Sequence, residues 1–166
     1  NYLDFLESIS GVQRQRGTGF SKQGVAAYGG SLYLESLLFK DSAQKHLSAG
    51  YGSFGSYRVN ASMNTGTRNG LGLYLRGSHL HSDGYKDHSG NTSHSVFLSP
   101  GYWGEKHKVY VVSFFGSQKN DLAWIGAPLD SIQKNPRFNA NSHQEKDVFR
   151  QAHIQLHHDW QLNKQN

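Results

Sequence analysis

The chain has 166 residues, no cysteine, 19 glycines, 13 % aromatic residues and a formal charge of +5. That length suits one ordinary domain, and the missing cysteines exclude a disulfide framework, a thiolate metal site and a cysteine nucleophile. No apolar run reaches the ~20 residues of a membrane helix, which leaves membrane β-strands open because their signal per segment is much weaker.

Lysines and arginines are spread singly, without the block or stripe of a nucleic-acid surface, so no nucleic-acid partner is expected. Abundant Gly, Ser and aromatic residues with few charges favour an all-β chain. The sequence begins at Asn1 with neither an initiator methionine nor a basic-then-apolar leader, so the expectation is a processed chain or a piece of a longer one.

Residues 1–40 do not alternate. Short apolar groups (Leu3, Phe5, Leu6, Ile9, then Leu32, Leu34, Leu37, Leu38) lie between glycine-rich turns at Gly17, Gly19, Gly24, Gly29 and Gly30. The pattern reads as the tail of a small α+β unit ending in a strand, with tight turns of positive φ. GTGFSKQG (17–24) lacks the Gly-Lys-Ser/Thr of a phosphate loop, and GYGSFG (50–55) opens no helix, so neither is a nucleotide motif.

From residue 45 the period is two. Leu47, Ala49 and Tyr51 oppose His46, Ser48 and Gly50; Tyr57, Val59, Ala61 and Met63 oppose Arg58, Asn60, Ser62 and Asn64. TGTRNG (65–70) carries an Asn-Gly pair and predicts a tight hairpin. Leu71, Leu73 and Leu75 follow, against Gly72, Tyr74 and Arg76. A polar loop is expected over 82–93. Val96, Leu98 and Tyr102 suggest a strand in which Pro100 marks an edge or bulge. GEKH (104–107) is a short turn and KVYVVSFFG (108–116) the most β-prone stretch. A second long loop is expected over 117–147. The final strand sets Ala152, Ile154, Leu156, His158 and Trp160 against Gln151, His153, Gln155, His157 and Asp159.

Beyond the first hairpin, short and long connections alternate, and the strands run ~9–11 residues, enough to cross a bilayer at a tilt. Polar faces would line a wet interior; Tyr51, Tyr57, Tyr102 and Trp160 would sit at the membrane interfaces. A water-soluble sandwich or small barrel, acting as an adhesin or carbohydrate-binding module, gives the same alternation.

HLHSDGYKDH (79–88) crowds ligand-type side chains, and His79 and His81 share a strand face. A metal centre needs three or four converging ligands and a supporting shell, so no metal site is expected here or at His153, His157 and His158. No Ser/His/Asp arrangement or carboxylate pair stands out, and neither catalysis nor a cofactor is expected.

ISGVQRQRGTGFSKQGVAAYGGSLYLES (9–36) resembles the C-terminal part of the plug domain of TonB-dependent outer-membrane receptors. Gln15-Arg16-Gly17, Gly24 and Ala27-Tyr28-Gly29-Gly30-Ser31 keep the family spacing. GSFGSYRVNASMNTG (52–66), SDGYKDHS (82–89) and AWIGAP (123–128) resemble its barrel and loop segments. Gln23 stands where the family has Asn, and Phe20 and Lys22 interrupt a Ser/Thr-rich stretch.

The resemblance implies a plug tail over 1–40 and, over 41–166, about six antiparallel strands of a barrel of about 22. It implies an outer-membrane protein that binds a scarce nutrient (a ferric siderophore, haem, cobalamin or similar). Import would be driven through the TonB energy-transducing complex, with outer-membrane lipid around the wall. Arg16, Gly17, Gly29 and Gly30 would form the plug–barrel contact, Arg16 facing carboxylates on the inner wall. Tyr85, Trp124, Phe138 and His143 in the long loops would touch the extracellular ligand, a small molecule such as a metal chelate. An isolated piece with open strand edges is not expected to fold stably in water.

Overall fold

The computed structural model describes residues 6–17 and 29–162. Two antiparallel sheets account for most of them. The first pairs β1 (Ile9–Arg16) with β2 (Gly30–Ser36) and follows a single 3-10 turn, Leu6–Ser8. The second is a meander of β3 (Ala43–Tyr51), β4 (Tyr57–Thr65), β5 (Leu71–Ser82), β6 (Asn91–Trp103), β7 (His107–Asp121) and β8 (Lys146–Trp160). This sheet is not closed among the described residues, and β3 and β8 are its edges. A short helix, α1 (Leu129–Lys134), interrupts the connection from β7 to β8. Gly19, Gly24, Ala27 and Tyr28 of the N-terminal motif lie outside the described residues.

Local chemistry sets the connections. Asn69 and Gly70 both have positive φ, 51° and 80°, as a type I′ turn requires. Arg68 and Leu71 close it with reciprocal backbone hydrogen bonds of 2.8 and 3.0 Å. That turn and residues 104–106 lie at one end of the sheet; residues 52–56, 83–90 and 122–145 lie at the other. Strands β6 and β7 run further into the expected loops than alternation suggested, beginning at Asn91 and ending at Asp121. Pro100 marks neither an edge nor a bulge. It pairs with Leu73 on β5, the ladder to β7 lapses beside it, and pairing resumes at Gly101–Tyr110 in unchanged register.

Burial is inverted between the faces. The face carrying Asn60, Asn64, Arg76, Ser78, Ser93, Ser95 and Ser99 is the buried one. The opposite face is apolar and bare: Leu47 is 74 % exposed and Leu156 70 %, with Val59, Leu71, Val96, Phe115 and Ile154 also exposed. Tyr51 and Tyr57 bound this apolar band at the loop end, Tyr102 and Trp160 at the turn end.

The N-terminal segment covers the middle of the polar face, leaving Gln44 and His46 on β3 and Gln151 and Gln155 on β8 exposed. Phe39, 1 % exposed, joins Tyr74, Phe97 and Val112 in a small core, with Leu37, Leu38 and Trp103 against it. Its ring lies 4.7 Å from that of Trp103 and sits over two glycines paired across strands, Gly72 and Gly101. A Cβ on Gly101 would come within 2.6 Å of the Phe39 ring, and one on Gly72 would overlap it. The socket exists because neither strand has a side chain there. Phe39→Ala is expected to cost about 3–5 kcal/mol. Gly72→Val adds apolar area yet is expected to cost about 1–3 kcal/mol by expelling the ring; denaturant unfolding in detergent measures both.

Candidate functional site

Two structures stand out above the scaffold: a charged latch on the buried face and a knot of loops at one end. The latch begins with Arg76, which the two-residue period of β5 turns inward beside Asn60 of β4. Its side chain is 1 % exposed, and an arginine at that depth needs partners for its donors. Nε donates to Asn60 Oδ1 at 2.7 Å and Nη1 to Ser8 Oγ at 3.4 Å. Glu7 lies 3.7 Å from Arg76 Nε and 2.9 Å from an Arg58 guanidinium nitrogen, and accepts a further hydrogen bond from the Asn60 amide. The 3-10 turn thus presents Glu7 and Ser8 as one docking unit, one carboxylate serving two arginines and an amide.

The loop knot joins all three connections at its end of the sheet. Asp83 N donates to Phe54 O at 2.9 Å, and the Phe54 and Tyr85 rings meet edge-to-face at 5.5 Å. Asp87 N donates to Arg137 O at 2.8 Å, while Arg137 Nε donates to Tyr85 O at 2.9 Å and lies 3.5 Å from Asp87. Asn139 is the hub: its amide nitrogen reaches the carbonyls of Asp87, His88 and Leu122 at 2.8, 2.9 and 3.0 Å. An amide has two hydrogens for these three acceptors, so one hydrogen is shared. Asn141 anchors the next turn, accepting from Ile125 N at 3.0 Å and donating to Glu145. Beside the knot a polar cleft of about 350 Å³ is lined by His81, Asp83, His88, Asn91, Lys119, Asp121 and Lys146.

Of the loop residues expected to touch ligand, Tyr85 and Trp124 are exposed, and the His143 ring lies 5.2 Å from that of His88. Phe138 is half-buried, its N–H bonded to Asn135 O at 2.9 Å. All four lie in the interlocked loops. Arg16 ends β1 opposite Gly30, exposed and away from the latch residues in sequence, with no ion pair among the described residues. Gly17 and Gly30 have φ of 73° and 129°. Space beside Gly17 and Gly29 is open, whereas a side chain on Gly30 would meet the Gln15 carbonyl. The expected contact of a plug arginine with wall carboxylates has a counterpart of opposite polarity: the carboxylate is Glu7 and the arginines are on the sheet.

The histidines divide by face. His79 and His94 lie on the outward face with Nδ1 atoms 3.0 Å apart, and His107 and His158 meet there at 3.2 Å at the other end. His153 and His157 face inward, stacked on Phe114 and Tyr110 at 5.0 and 4.6 Å. Among the described residues no three His, Asp or Glu side chains converge as a metal centre would need.

Glu7 and Asn139 went unnoticed in sequence, because nothing local marks a carboxylate that pairs with strands far along the chain, or one asparagine among several. Comparison with models of known families finds no match for this chain, and comparison with curated proteins finds none either.

Glu7→Ala is expected to lower stability by about 1–3 kcal/mol, since it leaves the Arg76 charge short of a partner. Adding Arg76→Met is expected to restore part of the loss by removing that charge; a double-mutant cycle of unfolding free energies in detergent decides it. Asn139→Ala is expected to quicken tryptic cleavage after Lys134 or Arg137 by about tenfold, because three carbonyls lose their donor.

Proposed function

We propose that this chain is part of a TonB-dependent outer-membrane receptor, contributing the end of the plug and a run of strands in the barrel wall. The observation that carries the proposal is the inverted burial of the sheet. The middle of its polar face is covered by the chain's own N-terminal segment, while an apolar face between aromatic rims stays bare. A water-soluble sandwich does the reverse and covers its apolar face with a second sheet. A bare apolar band between tyrosine and tryptophan rims suits lipid. The motif resemblance over residues 9–36, 52–66, 82–89 and 123–128 points the same way.

On this proposal the strands β3 to β8 are wall, and their two open edges are continued by further strands, since an unpaired edge is costly in lipid. Residues 6–17 and 29–40 sit in the lumen as the last part of the gate. The loop knot is part of the outer surface that receives a scarce nutrient such as a ferric siderophore, haem or cobalamin. Binding and gated passage are the work; no bond chemistry is required of these residues. Energy from the TonB complex, applied to the plug, would draw the segment held by Glu7 and Phe39 off the wall.

These 166 residues contain no cysteine, so with any cysteine elsewhere in the protein replaced, single cysteine replacements here are clean reporters. In the full-length protein in native membranes, Cys at Leu47, Ile154 or Leu156 is expected to resist a charged maleimide, and Cys at Gln151 or Gln155 to react. The opposite pattern would favour a soluble module. Deleting the gene is expected to abolish energy-dependent uptake of one of a ferric siderophore, haem or cobalamin; unchanged uptake of all such nutrients would sink the receptor proposal.

A further inference from the structure

Strand register lays two contrasting rows across the outward face. His79 lies opposite His94, His94 opposite Ser117, and Ser117 opposite Arg150. One step towards the turn end the row is Gly77, Val96, Phe115 and Ala152. The small side chain at Ala152 leaves between these rows a trough of about 540 Å³, floored by Val96, Phe115 and Ala152 and lipped by His94, Ser117 and Arg150.

The lip is ordered and cationic. The His79 and His94 rings meet through Nδ1 atoms 3.0 Å apart, so one donates to the other, and the Tyr57 hydroxyl lies 3.2 Å from His79 Nε2. Arg150 is exposed, and among the described residues no carboxylate pairs with it. Lys119 lies in the next row towards the loops, opposite Thr92.

We propose that this trough seats a phosphate-bearing lipid of the surrounding leaflet. Its acyl chains would lie on Val96, Phe115 and Ala152, and its phosphate would meet Arg150 and His94. The guanidinium fork matches two phosphate oxygens, and the imidazole adds a third donor. The rows are two residues apart along each strand, about 6.6 Å, so one amphiphile can span both. A headgroup that adds its own cation would sit against Arg150 and Lys119 and be disfavoured. Inorganic phosphate has the charge and no chain for the trough. The inference rests on the membrane proposal, because only in a bilayer is this face next to lipid.

The test uses the full-length protein carrying this chain, purified in neutral detergent and incubated with mixed micelles of phosphatidic acid and phosphatidylcholine. Native mass spectrometry then reads the lipid retained. Phosphatidic acid is expected to be kept over phosphatidylcholine by at least about fivefold, the effect of one basic residue near an anionic headgroup. Arg150→Gln with His94→Gln is expected to bring the ratio to parity, and Arg150→Lys to keep most of it. Ala152→Trp fills the trough with the cations intact and is expected to remove retention. These positions are solvent-exposed, and an unchanged thermal transition in detergent verifies folding. Equal retention of both lipids, indifference to the variants, or displacement by equimolar inorganic phosphate would overturn the lipid site while leaving the receptor proposal standing. Failure of the protein to enter micelles or vesicles at all would overturn both.

Discussion

Arg76 places a full charge on a side chain only 1 % exposed, and the arrangement around it follows from keeping that charge partnered. Transfer of an unpaired ion from water to protein costs several kcal/mol even after relaxation. Asn60, Ser8 and Glu7 meet the cost, and two of the three belong to the 3-10 turn rather than the sheet. The charge therefore fixes where the chain before β1 must lie. Phe39 fixes the chain after β2 by a different force, burial of an aromatic ring in a socket with no competing side chains. One polar and one apolar attachment, on either side of the two-stranded sheet, hold the segment over residues that would otherwise form an open polar surface.

Much of the strand framework was legible because a period of two is unambiguous when one face is consistently apolar. Leu47–Ala49–Tyr51, Tyr57–Met63 and Ala152–Trp160 each fall on the face that alternation assigns them. Asn69-Gly70 forms the turn its backbone freedom demands. Legibility failed where alternation was polar against polar. Ser93 and Ser95 look inward while Thr92 and His94 look outward, and without a hydrophobic contrast the first part of β6 read as loop. His79 and His81, by contrast, share one face of β5 as the two-residue period assigns them. Pro100 misled in the other direction: a central strand tolerates it because the missing donor faces only one neighbour.

The latch and the loop knot were beyond sequence for a further reason. Their contacts join residues far apart along the chain, Glu7 to Arg58 and Arg76, and Asn139 to Asp87 and His88. No spacing rule announces such pairs, since the fold brings them together only after register is set. Arg16 shows the converse. A conspicuous local motif marks it for a charged contact, and β1 sets it at an exposed strand end opposite Gly30 without an ion pair among the described residues. A motif marks a neighbourhood; which charge meets which is decided by the packing.

The asymmetry of the faces also bears on how firmly the segment is held. In a lipid setting the apolar face gains nothing by packing on protein, so attachment of the N-terminal segment depends on the inner face alone. That face offers one aromatic socket and one ion cluster whose carboxylate, Glu7, is 39 % exposed. Water reaching Glu7 can replace its contacts one at a time, which lowers the barrier to separation, whereas Arg76 keeps Asn60 on the sheet. Separation at this point strands neither charge completely: the carboxylate passes to water and the arginine retains an amide partner. On the proposed receptor reading, a gate that must open under a pull and close again unaided needs an attachment of this kind, specific enough to fix one seated position and wet enough to be undone.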